Sequence, residues 1–402
     1  MKTLFVATVG IGTGPEADIV PPLVNSIKRA NPDYLLLFVT EGSKGNGEKI
    51  IQELGCTPEK SFVSQLRADI SDIEALFKEM LDVLSEQMKR LKISAENVTA
   101  DFTTGLKTMS AALALSAVQL GFNNLQYIYV RRDEQKRVIP GTERFISLTP
   151  NQIRDSMLLQ TAFNLMQNYR FASAIQILKN LHLLNETENL LREQLITIAN
   201  AYIGWDLFNH NRFVERYRNA NLKSDYRLGI FQVKEATINL VTKIKEAKEI
   251  TDLMIVDLFN NAERRFNEGR YDDTVARLYR TCEMLAQWRL QKKHGVNTSD
   301  VALDKVPEES SNWLSGYRNQ EGKIQIALEK AYQLLTELKD NLGAEYNDLK
   351  GLLKNRNYSI LAHGIEPIDE DVAESMLKKV GQLLSKYIEE FETKRELLKF
   401  PF

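Results

Sequence analysis

The run Tyr34-Leu35-Leu36-Leu37-Phe38-Val39 has no polar residue at alternate positions, so as a strand it must be covered on both faces. The sequence around it supplies the cover. Strands are expected over 3–9, 34–40, 98–102 and 125–130, with a weaker one over 61–66. Helical stretches over 17–29, 47–54, 72–91 and 107–120 lie between them. Strand and helix in alternation make a parallel sheet with crossover helices, so residues 1–148 read as a Rossmann-like α/β domain. The boundary falls near 144–150, where Leu148-Thr149-Pro150 with Asn151 reads as a linker and helix start. Beyond it the chain is almost wholly helical. We divide it into a helical connector, 151–248, and a third, all-α domain, 249–402.

A chain of 402 residues, 43% hydrophobic and 26% charged, has room for two or three such domains. Its 52 basic and 54 acidic residues exclude a global nucleic-acid field, so any RNA binding depends on a local patch. The two cysteines, Cys56 and Cys282, are far apart and read as buried small hydrophobes in a reducing cytoplasm. The apolar run of residues 1–9 is too short for a signal peptide or a membrane span and reads as a first buried strand. A cytoplasmic chain with no membrane partner is expected.

Two loops at strand ends invite ligands. Gly10-Ile11-Gly12-Thr13-Gly14-Pro15 has the glycines of a dinucleotide loop but fails the G-x-G-x-x-G spacing, because Pro15 follows Gly14. Thr103-Thr104-Gly105-Leu106-Lys107-Thr108-Met109 joins the strand over 98–102 to an Ala- and Leu-rich helix. Such a turn presents backbone N–H groups, hydroxyls and a cation to an anion. It is not a Walker loop, and a capped helix with a surface lysine accounts for the same residues.

In the helical half, Asn168-Tyr169-Arg170-Phe171 and Gly269-Arg270-Tyr271 mark two similar helix hairpins, too few for a repeat array. From Arg264 to Lys293 there are eight basic and four acidic residues, net +4. That run is either a track for an RNA backbone or a helix face laced with ion pairs. His182, His210 and His294 read as structural.

The stretch Lys354-Asn355-Arg356-Asn357-Tyr358-Ser359-Ile360-Leu361-Ala362-His363-Gly364 is the candidate catalytic site. Leu349, Leu353, Arg356, Ile360 and His363 recur at helical spacing, so the arginine and the histidine are expected on one apolar stripe, with Gly364 ending the helix and Pro367 following. A guanidinium can stabilise charge developing on phosphate oxygens, and an imidazole moves protons near neutral pH. RNA brings its own nucleophile, the 2′-hydroxyl. A histidine set against a helix dipole is the plain structural alternative.

Arg356-Asn357 followed by His363 resembles the signature of HEPN ribonucleases. That resemblance implies a metal-independent site with Arg356, Asn357 and His363 as catalytic residues, completed by the same helix of a second subunit. Asp101 with Thr103-Thr104-Gly105-Leu106-Lys107-Thr108-Met109 is similar to the ligand loop of CARF domains, which sense cyclic oligoadenylates in type III CRISPR immunity. Thr104 and Leu106 depart from the usual Thr-Gly-Gly-Thr-Lys. The resemblance implies a pocket shared by two subunits, built from Thr8, Gly10, Gly12 and Thr13 of the first loop and Thr103, Thr104, Gly105 and Lys107 of the second. Taken together, the chain resembles the CARF-HEPN ancillary ribonucleases. It is then expected to be a homodimeric, cytoplasmic endoribonuclease that needs no cofactor, cuts single-stranded RNA to 2′,3′-cyclic phosphate ends, and answers to cyclic tetra-adenylate or, less favoured, cyclic hexa-adenylate. A ligand-sensing regulator that cuts nothing, and a ring nuclease that degrades the cyclic nucleotide, stay open as rivals.

Overall fold

The computed structural model describes residues 2–12, 19–129, 131, 142, 144–181, 183, 185–361 and 364–402, with backbone alone at 352, 355, 357 and 358. The chain divides into two compact units, Met1–Thr161 with Asn180–Glu186, and Ala162–Lys179 with Thr187–Phe402.

The first unit alternates β1 (Leu4–Thr8), α1 (Val20–Ala30), β2 (Tyr34–Val39), α2 (Lys44–Leu54), β3 (Ser61–Gln65), α3 (Ile73–Leu91), β4 (Val98–Asp101), α4 (Lys107–Leu120), β5 (Asn124–Tyr129) and β6 (Arg144–Leu148). The sheet order is β3-β2-β1-β4-β5-β6. The apolar run in β2 behaves as its composition requires. Leu36 and Phe38 join a core with Leu76, Met80 and Leu113 on one face of the sheet, while Leu35, Leu37 and Val39 join Leu23, Val24 and Ile50 on the other. Burying each such side chain contributes about 1.5–3 kcal/mol, so β2 fixes both layers at once.

Strands β1 to β5 pair in parallel, whereas β6 runs antiparallel to β5 with Leu125 opposite Leu148 and Tyr127 opposite Ile146. The helix start read at Pro150 is where the next helix begins, whereas the span 144–148, expected only as part of a domain boundary, is therefore a sixth strand. Its local signal is weak because Ile146 and Leu148 are half exposed; what makes it a strand is the edge that β5 offers, a long-range pairing that periodicity does not record.

After β6 come α5 (Pro150–Gln167), α6 (Phe171–Lys179), α7 (Glu186–Asp206), α8 (His210–Arg218), α9 (Glu235–Glu246), α10 (Asp252–Asn267), α11 (Tyr271–His294), α12 (Glu308–Leu314), α13 (Leu328–Glu337), α14 (Asn341–Ala344), α15 (Tyr346–Tyr358), α16 (Glu370–Tyr387) and α17 (Phe391–Leu397). The two hairpins read from sequence share one turn geometry. Arg170 N–H reaches Leu165 O at 2.8 Å across Tyr169 at φ 61°, and Arg270 N–H reaches Arg265 O at 2.9 Å across Gly269 at φ 71°. This is the helix-ending bond of the Schellman type. The same bond closes α7 onto α8, Asn209 N–H to Gly204 O at 2.8 Å, and α13 onto α14, Asp340 N–H to Leu335 O at 2.9 Å.

Within the second unit, the helices before residue 248 and those after it share a core. Tyr202, fully buried, lies 4.8 Å from Phe400 and 5.1 Å from Phe402, ring centre to ring centre, and Trp205 lies 5.0 Å from Phe400. A polar seam joins the same helices. Asp257 accepts Trp205 Nε1–H at 2.8 Å and meets His210 Nε2 at 2.6 Å, while Asp206 receives Arg264 Nε at 3.0 Å and Arg265 at 2.8 Å. Buried charges persist only when paired in this way.

Candidate functional site

Helix α15 is fastened by Leu349 and Leu353, both nearly fully buried. Arg356 follows Leu353 by three residues, which keeps it on the packed side of the helix. There its guanidinium lies 4.8 Å from the centre of the Tyr279 ring on α11. Burial first, and the Glu283 carboxylate second, push the Tyr279 hydroxyl above its ordinary pKa, with Arg356 acting the other way. Arg356 is thus half-buried against an aromatic face, with its charge held in place before any substrate arrives. Tyr279 is a site residue that the local sequence does not reveal, since nothing near Arg356 points to an aromatic 77 positions earlier.

The helix does not run on to His363. It ends at Tyr358; Ser359 is extended at ψ 157°, and its N–H reaches Arg356 O at 3.1 Å, a bond of three residues instead of four. Asparagine and serine, the residue types at 355, 357 and 359, are weak helix formers, so the sequence gives the helix little to continue on. The chain then turns back: Ser359 bridges Glu366, and Gly364 N–H donates to Ser359 O at 3.2 Å. Ile360 is 70% exposed. The expected single stripe from Leu349 to His363 is therefore corrected to a stripe ending at Arg356, followed by a turn. His363 and the side chain of Asn357 lie outside the described residues.

In the first unit the two glycine-bearing loops are clamped together. Thr8 Oγ1 donates to Thr104 O, and Thr104 Oγ1 donates to Thr8 O. Gly105 sits at φ 96°, and a Cβ on Gly10 would stand 2.8 Å from Gly105 N. Both glycines are required by this close approach. Gly12 also has positive φ, and Thr13 lies outside the described residues. Asn46, which the sequence gives no reason to select, donates from Nδ2 to Gly10 O at 2.9 Å.

Beneath the second loop, Asp101 is fully buried and accepts Thr103 N–H at 2.9 Å, Ser26 Oγ–H at 2.9 Å and Gln126 Nε2–H at 2.9 Å. Thr103 Oγ1 accepts Ile128 N–H at 2.8 Å. The hydroxyls of Thr8, Thr103 and Thr104 thus hold the loops in shape. What the loop presents outward is Lys107, exposed at the first position of α4, where Leu106 supplies no side-chain cap to the opening amides. Uncapped amides and a cation are an anion site in kind.

The basic run from Arg264 to Lys293 resolves into ion pairs. Arg264 and Arg265 are buried on Asp206, Arg270 and Arg277 meet Asp273, Arg280 meets Glu283, and Arg289 and Lys293 meet Asp340. From Arg264 to Arg280 it is a laced face and not an open RNA track, and among the described residues Lys292 alone of the run stays outside the lacing. Asp340 lies well below the usual carboxylate range: burial pushes it up, and hydrogen bonds from Lys293, Arg289, the Leu342 amide and His294 outweigh that.

Among the described residues no helix is long and apolar enough to cross a membrane, and no three His, Cys, Asp or Glu side chains converge as a metal site. Residues 243–388 match the family model described as the Csm6 HEPN domain. No curated protein matches the chain by sequence. Among solved structures, Enterococcus italicus Csm6 bound to cyclic hexa-2′-fluoro-hexa-dAMP superposes with a TM-score of 0.59 at 13% identity, covering 99% of this chain and 98% of that one. Can2 from Sulfobacillus thermosulfidooxidans, in complex with cyclic tetra-adenylate, covers 51% of this chain and 67% of its own at 13% identity and a TM-score of 0.25, an overlap too slight to bear on the argument. Residues 243–388 are thus similar to the Csm6 HEPN domain, and the chain as a whole shares the fold of Enterococcus italicus Csm6, an α/β sheet unit followed by a helical unit.

Proposed function

We propose that the chain is a metal-independent endoribonuclease of type III CRISPR defence, acting on single-stranded RNA and switched on by a cyclic oligoadenylate. The observation that carries this reading is Arg356, held on the Tyr279 ring inside the segment that matches the HEPN model. Residues 1–148 are the sensor, 151–248 the connector and 249–402 the nuclease.

In the reaction the RNA 2′-oxygen attacks the adjacent phosphorus and the P–O5′ bond breaks. The 2′-hydroxyl loses its proton and the departing 5′-oxygen gains one. Products are a 2′,3′-cyclic phosphate and a 5′-hydroxyl. Arg356 stabilises the charge on the phosphate oxygens, His363 carries one of the two protons, and Asn357 orients the reacting groups. A second copy of the chain brings the same three residues, and the two sets make one composite site.

The activator binds at the clamped loops, with Lys107 and the opening amides of α4 on its phosphates and Gly10, Gly12 and Gly105 allowing backbone approach. Cyclic tetra-adenylate and cyclic hexa-adenylate are the two rings to test. Incubating the protein with single-stranded RNA, each ring and EDTA separates this reading from its rivals. Cleavage only with an activator supports it. Degradation of the ring alone means a ring nuclease, and no cleavage of either means a regulator.

A further inference from the structure

A cleft of about 270 Å³ opens in the second unit, lined on one side by Trp288, Arg289, Lys292 and Lys293 from the last turns of α11 and on the other by Tyr387 at the end of α16, with Asp252 and Glu389 at its edge. Trp288 follows Tyr279 by nine residues, which at 100° per residue puts it on the opposite face of α11. The cleft is therefore separate from the contact between Tyr279 and Arg356.

Its charges decide what it can hold. Arg289 Nε, Lys293 Nζ and His294 Nε2 all converge on one oxygen of Asp340, Oδ2, at 2.9, 2.9 and 3.1 Å. The other oxygen accepts the Leu342 amide at 3.1 Å. One carboxylate thus answers two permanent cations, and each of them spends a single donor on it. Asp252 is taken by Lys394 at 2.7 Å. Among the described residues Lys292 forms no ion pair; its ammonium stands 4.8 Å from the Trp288 ring centre. The lining and its ion-pair partners bring four permanent cations, Arg289, Lys292, Lys293 and Lys394, against three carboxylates, Asp252, Asp340 and Glu389, so the cleft keeps a surplus positive charge and unspent donors. Cations in the last turn of a helix ordinarily just offset its dipole. Here they also border an open volume with aromatic walls, since Arg289 lies over the Tyr387 ring at 5.7 Å.

An anion with a flat apolar group attached meets both halves of this description. We propose that the cleft binds a nucleoside phosphate, with the phosphate on Arg289, Lys292 and Lys293 and the base against Trp288 once Lys292 turns from the ring to the phosphate. The volume lies just under the range of drug-sized pockets and admits one nucleotide. That nucleotide is either free or one unit of an RNA strand.

The test is tryptophan fluorescence of the full-length protein titrated with AMP, with inorganic phosphate, and with a single-stranded 2′-O-methyl oligonucleotide that cannot be cleaved through its 2′ position. Trp288→Phe assigns the signal, since Trp205 and Trp313 are the other tryptophans. AMP should quench the wild type, phosphate should compete with it, and Lys292→Glu should weaken AMP about tenfold or more with an unchanged unfolding midpoint, because Lys292 is exposed and forms no ion pair among the described residues. Competition by the oligonucleotide assigns the nucleotide to an RNA strand; AMP binding without it assigns a free nucleotide. No quench by AMP or oligonucleotide, or equal affinity in Lys292→Glu, overturns the proposal. None of these readouts depends on RNA cleavage, so the two readings stand or fall separately.

Discussion

Arg356 and Tyr279 form a cation–π pair, guanidinium carbon to ring centre 4.8 Å, that fixes the candidate catalytic charge against α11. An aromatic face without a hydroxyl suffices for such a contact. Tyr279→Phe should therefore cleave RNA near the wild-type rate, while Tyr279→Leu should lose about fivefold to tenfold in kcat with little change in KM. Equal losses in the two variants would mean that the hydroxyl, and not the ring face, is what matters.

Arg356→Ala removes the charge itself. Cleavage of single-stranded RNA with activator and EDTA should fall by about 100-fold or more, and His363→Ala should fall by a similar factor through the lost proton carrier. Activator binding should be unaffected in both. Mixing the two inactive proteins tests the composite site, because heterodimers can assemble one intact set of groups. A His363→Ala protein that cuts at full rate ends the assignment.

The clamp between the two loops of the first unit sets up a contrast between shape and charge. Gly105→Ala meets both the left-handed φ of 96° and Thr8 Cβ at 3.0 Å, so it should lower stability by about 1–2 kcal/mol and weaken activator binding together. Lys107→Ala alters only an exposed cation and should weaken binding at an unchanged melting temperature. Calorimetric titration with each ring, beside thermal melts, reads both quantities. Lys107→Ala with undiminished affinity for either ring would remove the pocket from α4.

Asp340 makes the second unit sensitive to acid. Its folded pKa is depressed, so the unfolded chain takes up this proton first as pH falls; the carboxylate's contribution is complete above the ordinary carboxylate value and is lost as pH drops toward the folded one. Asp340→Asn should destabilise the protein by on the order of 3 kcal/mol at neutral pH and flatten the acid limb. Urea unfolding from neutral to about pH 2 measures both effects, and parallel limbs for wild type and variant would refute the linkage.

Cys282 is fully buried, and that burial pushes its thiol up to about 12, whereas Cys56 is only half-buried. Thiolate is the reactive form. Native protein should therefore titrate one thiol quickly with a chromogenic disulfide, and denaturant should release the second. Two fast thiols in the native protein would contradict the burial.

Much of this was legible in the residues. The apolar run of β2 announced a doubly covered sheet, and Lys107–Leu120 begins and ends where its Thr-Gly loop and Gly121 place it. Gly269-Arg270-Tyr271 and Tyr169-Arg170-Phe171 each marked a turn that forms. What the sequence hid depends on partners distant along the chain. Strand β6 exists because β5 pairs with it, and Arg356 acquires its surroundings from Tyr279. The threonines of the ligand loop looked like ligand donors, yet two of them spend their hydroxyls on each other's loop. The end of α15 falls short of the expected stripe because apolar spacing in the sequence continues through Ile360 and His363, while the backbone leaves the helix at Ser359.

The seating of Phe400 on Tyr202 and Trp205 bears on how the protein comes into being. The contact closes a loop of roughly two hundred residues, and long loops are closed late because their entropy is lost before the contact returns anything. Helices α10 and α17 are tied to the same region, through Asn260 Nδ2 to Arg395 O at 2.9 Å. On the ribosome, then, the helical unit cannot complete its core until the residues near 400 have emerged. A chain still being translated thus carries α10 and its neighbours without their finished scaffold until Phe400 has been made.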